Sequence, residues 1–131
     1  MSADFVHLHV HTHYSLLDGL TKHEELLKRC GEYDMPACAI TDHGTVFGLL
    51  DFYQKAKGTG VKPILGCEIY VARTNRFDKS AKSSRDSCNH LLLLCENEQG
   101  YHNLCKLSTQ AHLEGWHYKP RVDMDLLEEY H

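Results

Sequence analysis

The feature that most constrains the fold of this chain is the alternation of strand patterns and helix patterns along it. Strand patterns, which are short runs rich in apolar and β-branched residues, occupy residues 5–12, 36–41, 62–73 and 90–96. Helix patterns occupy residues 20–34, 46–60, 98–113 and 123–131. The resulting order, β-α-β-α-β-β-α and a further helix with short connections, is typical of an α/β protein.

Local signals predict where the helices begin and end. Thr21 is followed three residues later by Glu24, which is a capping-box pattern and predicts that Thr21 caps the first helix. That helix should end near Gly31 or Asp34, and Asp123 should cap the last one. The second helix is predicted from an apolar stripe formed by Val46, Leu49, Leu50, Tyr53 and Ala56.

The remaining segments are predicted to be loops. Residues 74–89 are polar and rich in Ser and Lys, so we expect a mobile loop there, and residues 116–122 should be irregular. The chain contains no linker, internal repeat or low-complexity tract, so residues 1–131 should form one domain. A chain of this length can bury about two-thirds of its surface on folding.

Composition is typical of a soluble protein, with 42% hydrophobic and 24% charged residues. The net charge of −4 gives no overall basic character, although a local basic groove would suffice for binding nucleic acid. The six cysteines form no C-x-x-C pair, and we interpret them as small buried side chains in a reducing cytoplasm. No signal-peptide pattern and no membrane-spanning apolar run is present.

The first strand pattern carries histidines at every second position: His7, His9, His11 and His13. Side chains two residues apart in a strand point to the same face, so His9 and His11 can bind one metal or two adjacent metals. An expression tag is contiguous, whereas this row is interleaved with strand formers. His13 lies past the expected end of the strand, and neither it nor His7 is assigned a role.

Three further segments carry residues of the metal-ligand type. Asp42 and His43 follow the second strand pattern, at the end of a strand where active sites of α/β folds collect. Taken singly, Asp42 is explained as a helix cap and His43 as a turn residue. Glu68 alternates with apolar residues, and a buried carboxylate needs an ionic partner or a metal; a solvated glutamate on an edge strand is the alternative. His90, taken alone, is a strand-boundary residue.

Histidines and carboxylates drawn from separate strands suit a multinuclear site for zinc, manganese or iron. Two metals about 3.5–4 Å apart can activate water and hold a phosphoryl oxygen. The residues alone therefore predict metal-assisted phosphoester hydrolysis and leave the substrate open.

Several segments together resemble a known family. They are "HLHVHTHYSLLDG", "AITDHG", "KPILGCEIYV", "HLLLLCENEQGYHNLCKL" and "GWHYKPRVDMDLLEEYH". They resemble the polymerase and histidinol phosphatase (PHP) domain, in the form found at the N-terminus of bacterial replicative DNA polymerase III alpha subunits. The resemblance covers essentially the whole chain. It implies a distorted (β/α)7, TIM-like barrel, of which residues 1–131 would be the N-terminal part, with the polymerase domains outside the chain.

The resemblance also implies roles for individual residues. The family's metal ligands match His9, His11, Asp18, His43, Glu68 and His90. Its remaining ligands match nothing in this chain. Asp42 is the catalytic candidate, since it can orient His43 or a bound water. The resemblance implies two or three divalent ions in the complete domain, with zinc or manganese favoured.

The function implied is that of the PHP module of a DNA-directed DNA polymerase, a nucleotidyltransferase of DNA replication. The module itself would be a metal-dependent phosphoesterase acting as a 3′→5′ exonuclease in proofreading. Its partners would be DNA, through a 3′ end or primer-template, and replicase subunits including a proofreading exonuclease and the sliding clamp. Lys119 and Arg121 are candidates for phosphate contacts, with solvated surface residues as the equal alternative. The alternatives are a stand-alone PHP phosphatase and a non-catalytic metal-binding scaffold for a proofreading partner.

Half of a barrel would expose strand edges and barrel interior to water. We therefore expect the isolated 131 residues to be unstable and inactive. Thermal denaturation followed by circular dichroism tests this, and a cooperative transition well above room temperature would contradict the expectation.

Overall fold

The computed structural model of the protein describes residues 5–131, so residues 1–4 of the predicted domain lie outside the described residues. Its helices are α1 His23–Glu32, α2 Leu49–Ala56, α3 Ser84–Ser87, α4 Glu98–Leu113 and α5 Met124–Glu129. Its strands are β1 Ala37–Ile40, β2 Lys62–Ala72, β3 Cys88–Leu94 and β4 Arg121–Val122. The strands predicted at 36–41, 62–73 and 90–96 and the helices predicted at 98–113 and 123–131 are confirmed.

The sheet is organised around β2. This strand pairs in parallel with β1 over Lys62–Leu65 and with β4 at Tyr70 and Val71. It pairs with β3 in the antiparallel direction over Gly66–Ala72. The connection from β2 to β3 contains only the four-residue α3, and no long crossover helix carries the chain back to start a parallel strand. The sheet is therefore mixed, a departure from the all-parallel arrangement of a regular α/β barrel.

The strand predicted at 5–12 is the main correction to the predicted elements. These residues run beside β1, but they form only isolated bridges, one from His7 to Cys38 and one from Thr12 to Thr21. The Val10 amide donates to the Thr41 hydroxyl instead of a backbone carbonyl. Because a side chain takes the place of a ladder acceptor, the segment stays extended without becoming a regular strand. We call residues 5–12 the extended segment.

The predicted start of α1 was also wrong. Thr21 bridges to Thr12 and accepts from the His13 amide, and Lys22 occupies the capping position without a side-chain hydrogen bond. The long-range contact with the extended segment thus replaces the local capping box. The predicted end is confirmed, since α1 ends at Glu32.

Helix α2 begins three residues later than Val46, the first position of the predicted stripe. Its buried face consists of Leu49, Phe52 and Ala56, whereas Leu50 is 60% exposed. The residues of this face belong to the hydrophobic core, together with Ile40 of β1. Spacing alone did not distinguish which of two adjacent leucines would face the sheet.

All six cysteines are free thiols, as predicted. Cys30, Cys38, Cys67 and Cys88 are buried, and the other two are half-buried. Burial raises the pKa of Cys67 to about 12, so its thiol stays protonated at neutral pH. These cysteines therefore act as small core residues, in line with their apolar sequence context.

The polar segment predicted to be a mobile loop is instead tied down by a buried arginine. Arg121, 2% exposed, donates from its guanidinium to the carbonyls of Arg76 and Asp78 at 3.1 and 2.7 Å. It also reaches the carbonyls of Gly115 and Ser87. Arg121 is thus committed to holding the backbone, and its predicted phosphate contact is wrong.

A second attachment of this segment is an ion pair. Arg76 contacts Asp123 through Nη1 and Oδ1 at 2.9 Å and Glu114 through Nε and Oε2 at 2.7 Å. Asp123 also caps α5, as predicted, by accepting from the Leu126 amide. Burial works to raise the pKa of Asp123, but hydrogen bonds from the Arg76 and Leu126 amides and from the Arg76 side chain lower it overall. The polar segment and α5 therefore share one charged anchor.

We expect Arg121→Met to release the polar segment while leaving the core intact. The substitution removes the hydrogen-bond donor of four carbonyls, and those of Arg76 and Asp78 can bond to water instead once the segment detaches. Trypsin cleavage after Lys79, Lys82 or Arg85 should become at least about tenfold faster. The matched control is Arg29→Met on the surface of α1; equal cleavage rates in the two variants would contradict the role given to Arg121.

Candidate metal centre

The candidate centre forms where separate parts of the chain meet. The six residues implied as ligands are His9, His11, Asp18, His43, Glu68 and His90. His9 and His11 lie in the extended segment, and Asp18 lies in the turn after it. His43 is the third residue past β1, Glu68 lies in the middle of β2, and His90 lies in β3. The structure brings all six together in three overlapping groups, each with ligand atoms within 4.8 Å of one another.

Glu68 lies at the middle of the centre. Its Oε2 is 2.5 Å from Nε2 of His9 and 2.6 Å from Nε2 of His11, and these two nitrogens are 3.2 Å apart. Its Oε1 contacts Nδ1 of His90. The Glu68 side chain is 6% exposed, so the solvated edge-strand alternative is wrong. His90 is the third residue of β3, with its side chain in the centre rather than at a strand boundary.

The imidazoles determine the charge state of this carboxylate. Burial alone would raise the pKa of Glu68, but hydrogen bonds from His9, His11 and His90 outweigh it and lower the pKa to about 2. Glu68 is therefore an anion throughout the physiological range. A buried anion beside several imidazoles is a chemically suitable ligand for a divalent cation.

Asp18 forms the outer side of the centre. Its Oδ2 lies 2.7 Å from Nε2 of His43 and 3.4 Å from Nδ1 of His11. The hydrogen bond and the charge interaction with His43 lower the pKa of Asp18. Its side chain is 58% exposed, in contrast to that of Glu68. The centre thus has a buried carboxylate on one side and a solvent-facing carboxylate on the other.

The chemistry of the donor set fits divalent metals. Nδ1 of His43 is buried and has no hydrogen-bond partner within residues 5–131, and the nearest carboxylate oxygen, Oε2 of Glu68, is 3.8 Å away. An unpartnered imidazole nitrogen beside an anion is a ready position for a cation. The three groups share His11, His43 and Glu68, so neighbouring ions would have ligands in common.

Asp42 has different contacts from those expected. Its carboxylate accepts hydrogen bonds from the Thr12 amide at 2.6 Å, the Thr12 hydroxyl at 2.8 Å and the Ser15 hydroxyl at 2.6 Å. The structure places Asp42 against these groups and not against the His43 ring, which corrects the expectation that it orients His43 directly. Ser15 in turn accepts from the His43 amide. Asp42 therefore fixes the extended segment and its turn against the end of β1.

Tyr70 is a residue of the centre that the sequence prediction missed. Its ring stacks on His43 at 6.1 Å between centroids and meets His90 edge-on at 5.0 Å. Gly44 makes room for it: φ is +60°, and a Cβ there would come within 2.7 Å of the tyrosine ring. Tyr70 stands two residues after Glu68, so the period of a strand was the available signal.

The other histidines of the opening row lie elsewhere. Within residues 5–131, neither His7 nor His13 belongs to any of the three groups. His7 contacts the ring of Phe5, and His13 contacts Tyr14 and His23. The distinction predicted within the row of four therefore agrees with the geometry.

We expect Asp42→Asn to loosen the extended segment without touching any of the six ligand-type residues. An asparagine amide group would face the hydrogen-bond donors that the carboxylate accepts, and hydrogen bonds to a charged group contribute about 1.5–3 kcal/mol each. Hydrogen–deuterium exchange of peptides covering residues 9–18 should become about tenfold faster or more. Asp125→Asn on the exposed face of α5 is the control; an unchanged exchange rate in Asp42→Asn would refute the role given to Asp42.

The chain is similar in sequence to known proteins. The family described as the PHP domain matches residues 7–131. The chain is 48% identical over 135 residues to DNA polymerase III subunit alpha of Aquifex aeolicus, covering 99% of this chain and 12% of that protein. The same subunit of Thermus aquaticus is 49% identical over 129 residues, covering 96% of this chain and 11% of that protein. The chain thus spans about a tenth of the length of these relatives.

A structural comparison supports the fold. An amidohydrolase from Chromobacterium violaceum, solved with bound sulfate and no metal, superposes with a TM-score of 0.52 at 21% identity. The superposition covers 80% of this chain and 34% of that one. This likeness supports the predicted α/β, TIM-like architecture. Within the described part of this chain, no helix is both long enough and apolar enough to cross a membrane.

The family match and the relatives lead to one assignment. Residues 7–131 match the family over nearly the whole chain, and the polymerase relatives share close to half of their aligned residues with it. The chain belongs to the PHP domain family and is homologous to the N-terminal region of DNA polymerase III alpha subunits.

Proposed function

We propose that this chain is the PHP module of a replicative DNA polymerase III alpha subunit and that its centre hydrolyses phosphoesters as a 3′→5′ exonuclease. The observation that carries the proposal is the buried Glu68 carboxylate in contact with His9, His11 and His90. A buried carboxylate surrounded by imidazoles has little use unless a cation binds there, since burying an ionic group is costly.

The ligand types favour zinc or manganese. Imidazole nitrogens suit zinc, and carboxylate oxygens suit manganese. One ion would be held by His9, His11 and Glu68. A second would be held by His11, Asp18 and His43, and a third by His43, Glu68 and His90. When bound, divalent ions activate water and neutralise charge on phosphoryl oxygens. Ligands from outside this chain would complete the two or three sites.

The chain's own residues determine how a substrate meets the centre. The side chains of His9, His90 and Asp18 are 54%, 52% and 58% exposed, so a phosphoester can approach from their side. Glu68 and Tyr70 close the opposite side, where both are buried. Asp42 keeps His9 and His11 in place by holding Thr12 and Ser15. The centre is therefore closed on the side of Glu68 and Tyr70 and open to solvent on the side of His9, His90 and Asp18.

The polymerase context comes from the relatives. Identity of 44–49% to DNA polymerase III subunit alpha favours a module of a replicase over a stand-alone phosphatase. In that setting the whole protein would be a DNA-directed DNA polymerase of the cytoplasm. Its partners would be DNA, a proofreading exonuclease and the sliding clamp.

Metal analysis and an exonuclease assay on the full-length protein test the proposal. Purified wild-type protein should contain zinc or manganese and release nucleotides from the 3′ end of single-stranded DNA. His9→Ala and His43→Ala should lower the metal content and reduce the release at least about 100-fold, because ligand loss removes the ion that supplies the chemistry. Nucleotide release should be lost on chelation and restored by added metal.

His7→Ala is the matched control, since His7 lies in the same row but outside the centre. It should leave metal content and nucleotide release unchanged. Metal-free wild-type protein would refute the site. Bound metal without nucleotide release would support the non-catalytic scaffold for a proofreading partner instead.

A further inference from the structure

A basic pocket lies beside the metal centre. It has a volume of about 550 Å³, and its walls include Tyr70, Arg73, Arg85, His90 and Lys119. Two of these, Tyr70 and His90, also belong to the metal centre or pack against it. The pocket and the centre are therefore adjoining parts of one surface.

The link between the two is short. The ammonium group of Lys119 lies over the Tyr70 ring, 5.2 Å from its centroid. The other neighbours of that ring are His43 at 6.1 Å and His90 at 5.0 Å. A single aromatic ring thus separates a free cation from two metal-ligand candidates.

The cations of this pocket are not neutralised by the protein. Among the described residues, Arg73, Arg85 and Lys119 form no ion pair, and no carboxylate lines the pocket. Other basic side chains are paired: Lys55 with Glu24 and Asp51, for example. Three uncompensated positive charges beside one cavity favour an anionic ligand.

Several contacts hold the pocket in shape. Arg73 donates to the Arg85 carbonyl at 3.3 Å, which spans the polar segment. A tight turn presents Lys119: Tyr118 has φ +62°, and the His117 amide donates to the Lys119 carbonyl. The Tyr118 hydroxyl also donates to the carbonyl of Lys82. A non-glycine residue in this backbone region is unfavourable, and the surrounding contacts maintain it.

We propose that this basic pocket, formed by Arg73, Arg85 and Lys119, binds a phosphate of the nucleotide that flanks the scissile bond. The proposal rests on the phosphoesterase function above and deepens it, because it selects polynucleotides over small phosphomonoesters. Arg73 follows the end of β2, and the last residue of that strand, Ala72, already lies about 7 Å beyond Tyr70 along it. A single phosphoryl group at the centre does not span that distance, whereas the next phosphate of a strand does. Arginine forks and a lysine are the usual phosphate donors.

Kinetics on two substrates test the proposal in the metal-loaded full-length protein. The double variant Arg85→Gln/Lys119→Gln should raise KM for a single-stranded oligodeoxynucleotide about tenfold, because it removes two phosphate-facing charges. The kcat for the oligonucleotide and the KM for p-nitrophenyl phosphate should change less than about twofold. The slope of log KM against log salt should also fall by about two, which is about one for each cation removed.

The matched control is Lys57→Gln. Lys57 also lies over a tyrosine, 4.9 Å from the Tyr53 ring centroid, but outside the pocket and the centre. It should behave as wild type on both substrates. Equal losses on the oligonucleotide and on p-nitrophenyl phosphate, or no difference from Lys57→Gln, would overturn the pocket's role.

Protection of lysines from acetylation measures DNA binding at the pocket without requiring hydrolysis, so it tests the pocket separately from the exonuclease activity. Acetylation of Lys119 and Lys57 in the wild-type protein is measured by mass spectrometry, with and without a single-stranded oligodeoxynucleotide. We expect the oligonucleotide to slow acetylation of Lys119 about fivefold or more and to leave Lys57 unchanged. Protection of Lys119 without hydrolysis would retain the pocket and refute the exonuclease. Hydrolysis without protection would refute the pocket alone.

Discussion

The interaction on which the rest of the structure depends is the burial of the Glu68 carboxylate among imidazoles. A buried charge without partners is strongly destabilising, so the chain must bring cationic or hydrogen-bonding groups to it from elsewhere. The partners come from the extended segment, 57 and 59 residues before Glu68, and from β3, 22 residues after it. Asp42 solves the accompanying problem of keeping the extended segment in place. The Glu68 carboxylate binds the histidines, and the Asp42 carboxylate holds the backbone of the extended segment, which carries two of them.

The contrast between local and long-range signals explains which elements could be predicted. Helix α4 matches its predicted bounds because its Asn97 cap and apolar spacing are local. The extended segment did not form a regular strand because its Val10 and Thr12 amides donate to the side chains of Thr41 and Asp42, some 30 residues away, and not to backbone carbonyls. Thr21 failed as a cap for the same reason. Sequence periodicity indicates which residues are extended, but it does not show which groups complete their hydrogen bonds.

The candidate site shows the same division. His9, His11, His43 and Glu68 could be anticipated because their residue types and strand positions have few other uses, and Asp18 and His90 followed from the family resemblance. Tyr70 was missed because an aromatic residue in an apolar strand has an ordinary explanation as a core residue. The anchoring of the polar segment was missed because the buried Arg121 looked like a surface cation in the sequence. Tertiary partners decide whether a charged residue is buried. The carbonyls of Arg76 and Asp78, to which Arg121 donates, are more than 40 residues away in the sequence.

Strand β2 connects these features through its period of two. Cys67, Ile69 and Val71 pack in or against the hydrophobic core, while Glu68 and Tyr70 face the histidines. Both faces of the strand are therefore occupied, one by apolar side chains and one by the centre, and a shift of one residue would exchange them. Because Arg73 follows the end of the same strand, the register that places Glu68 among the imidazoles also sets the distance from the centre to the basic pocket. A substitution that shifts β2 would displace the metal centre and the pocket together.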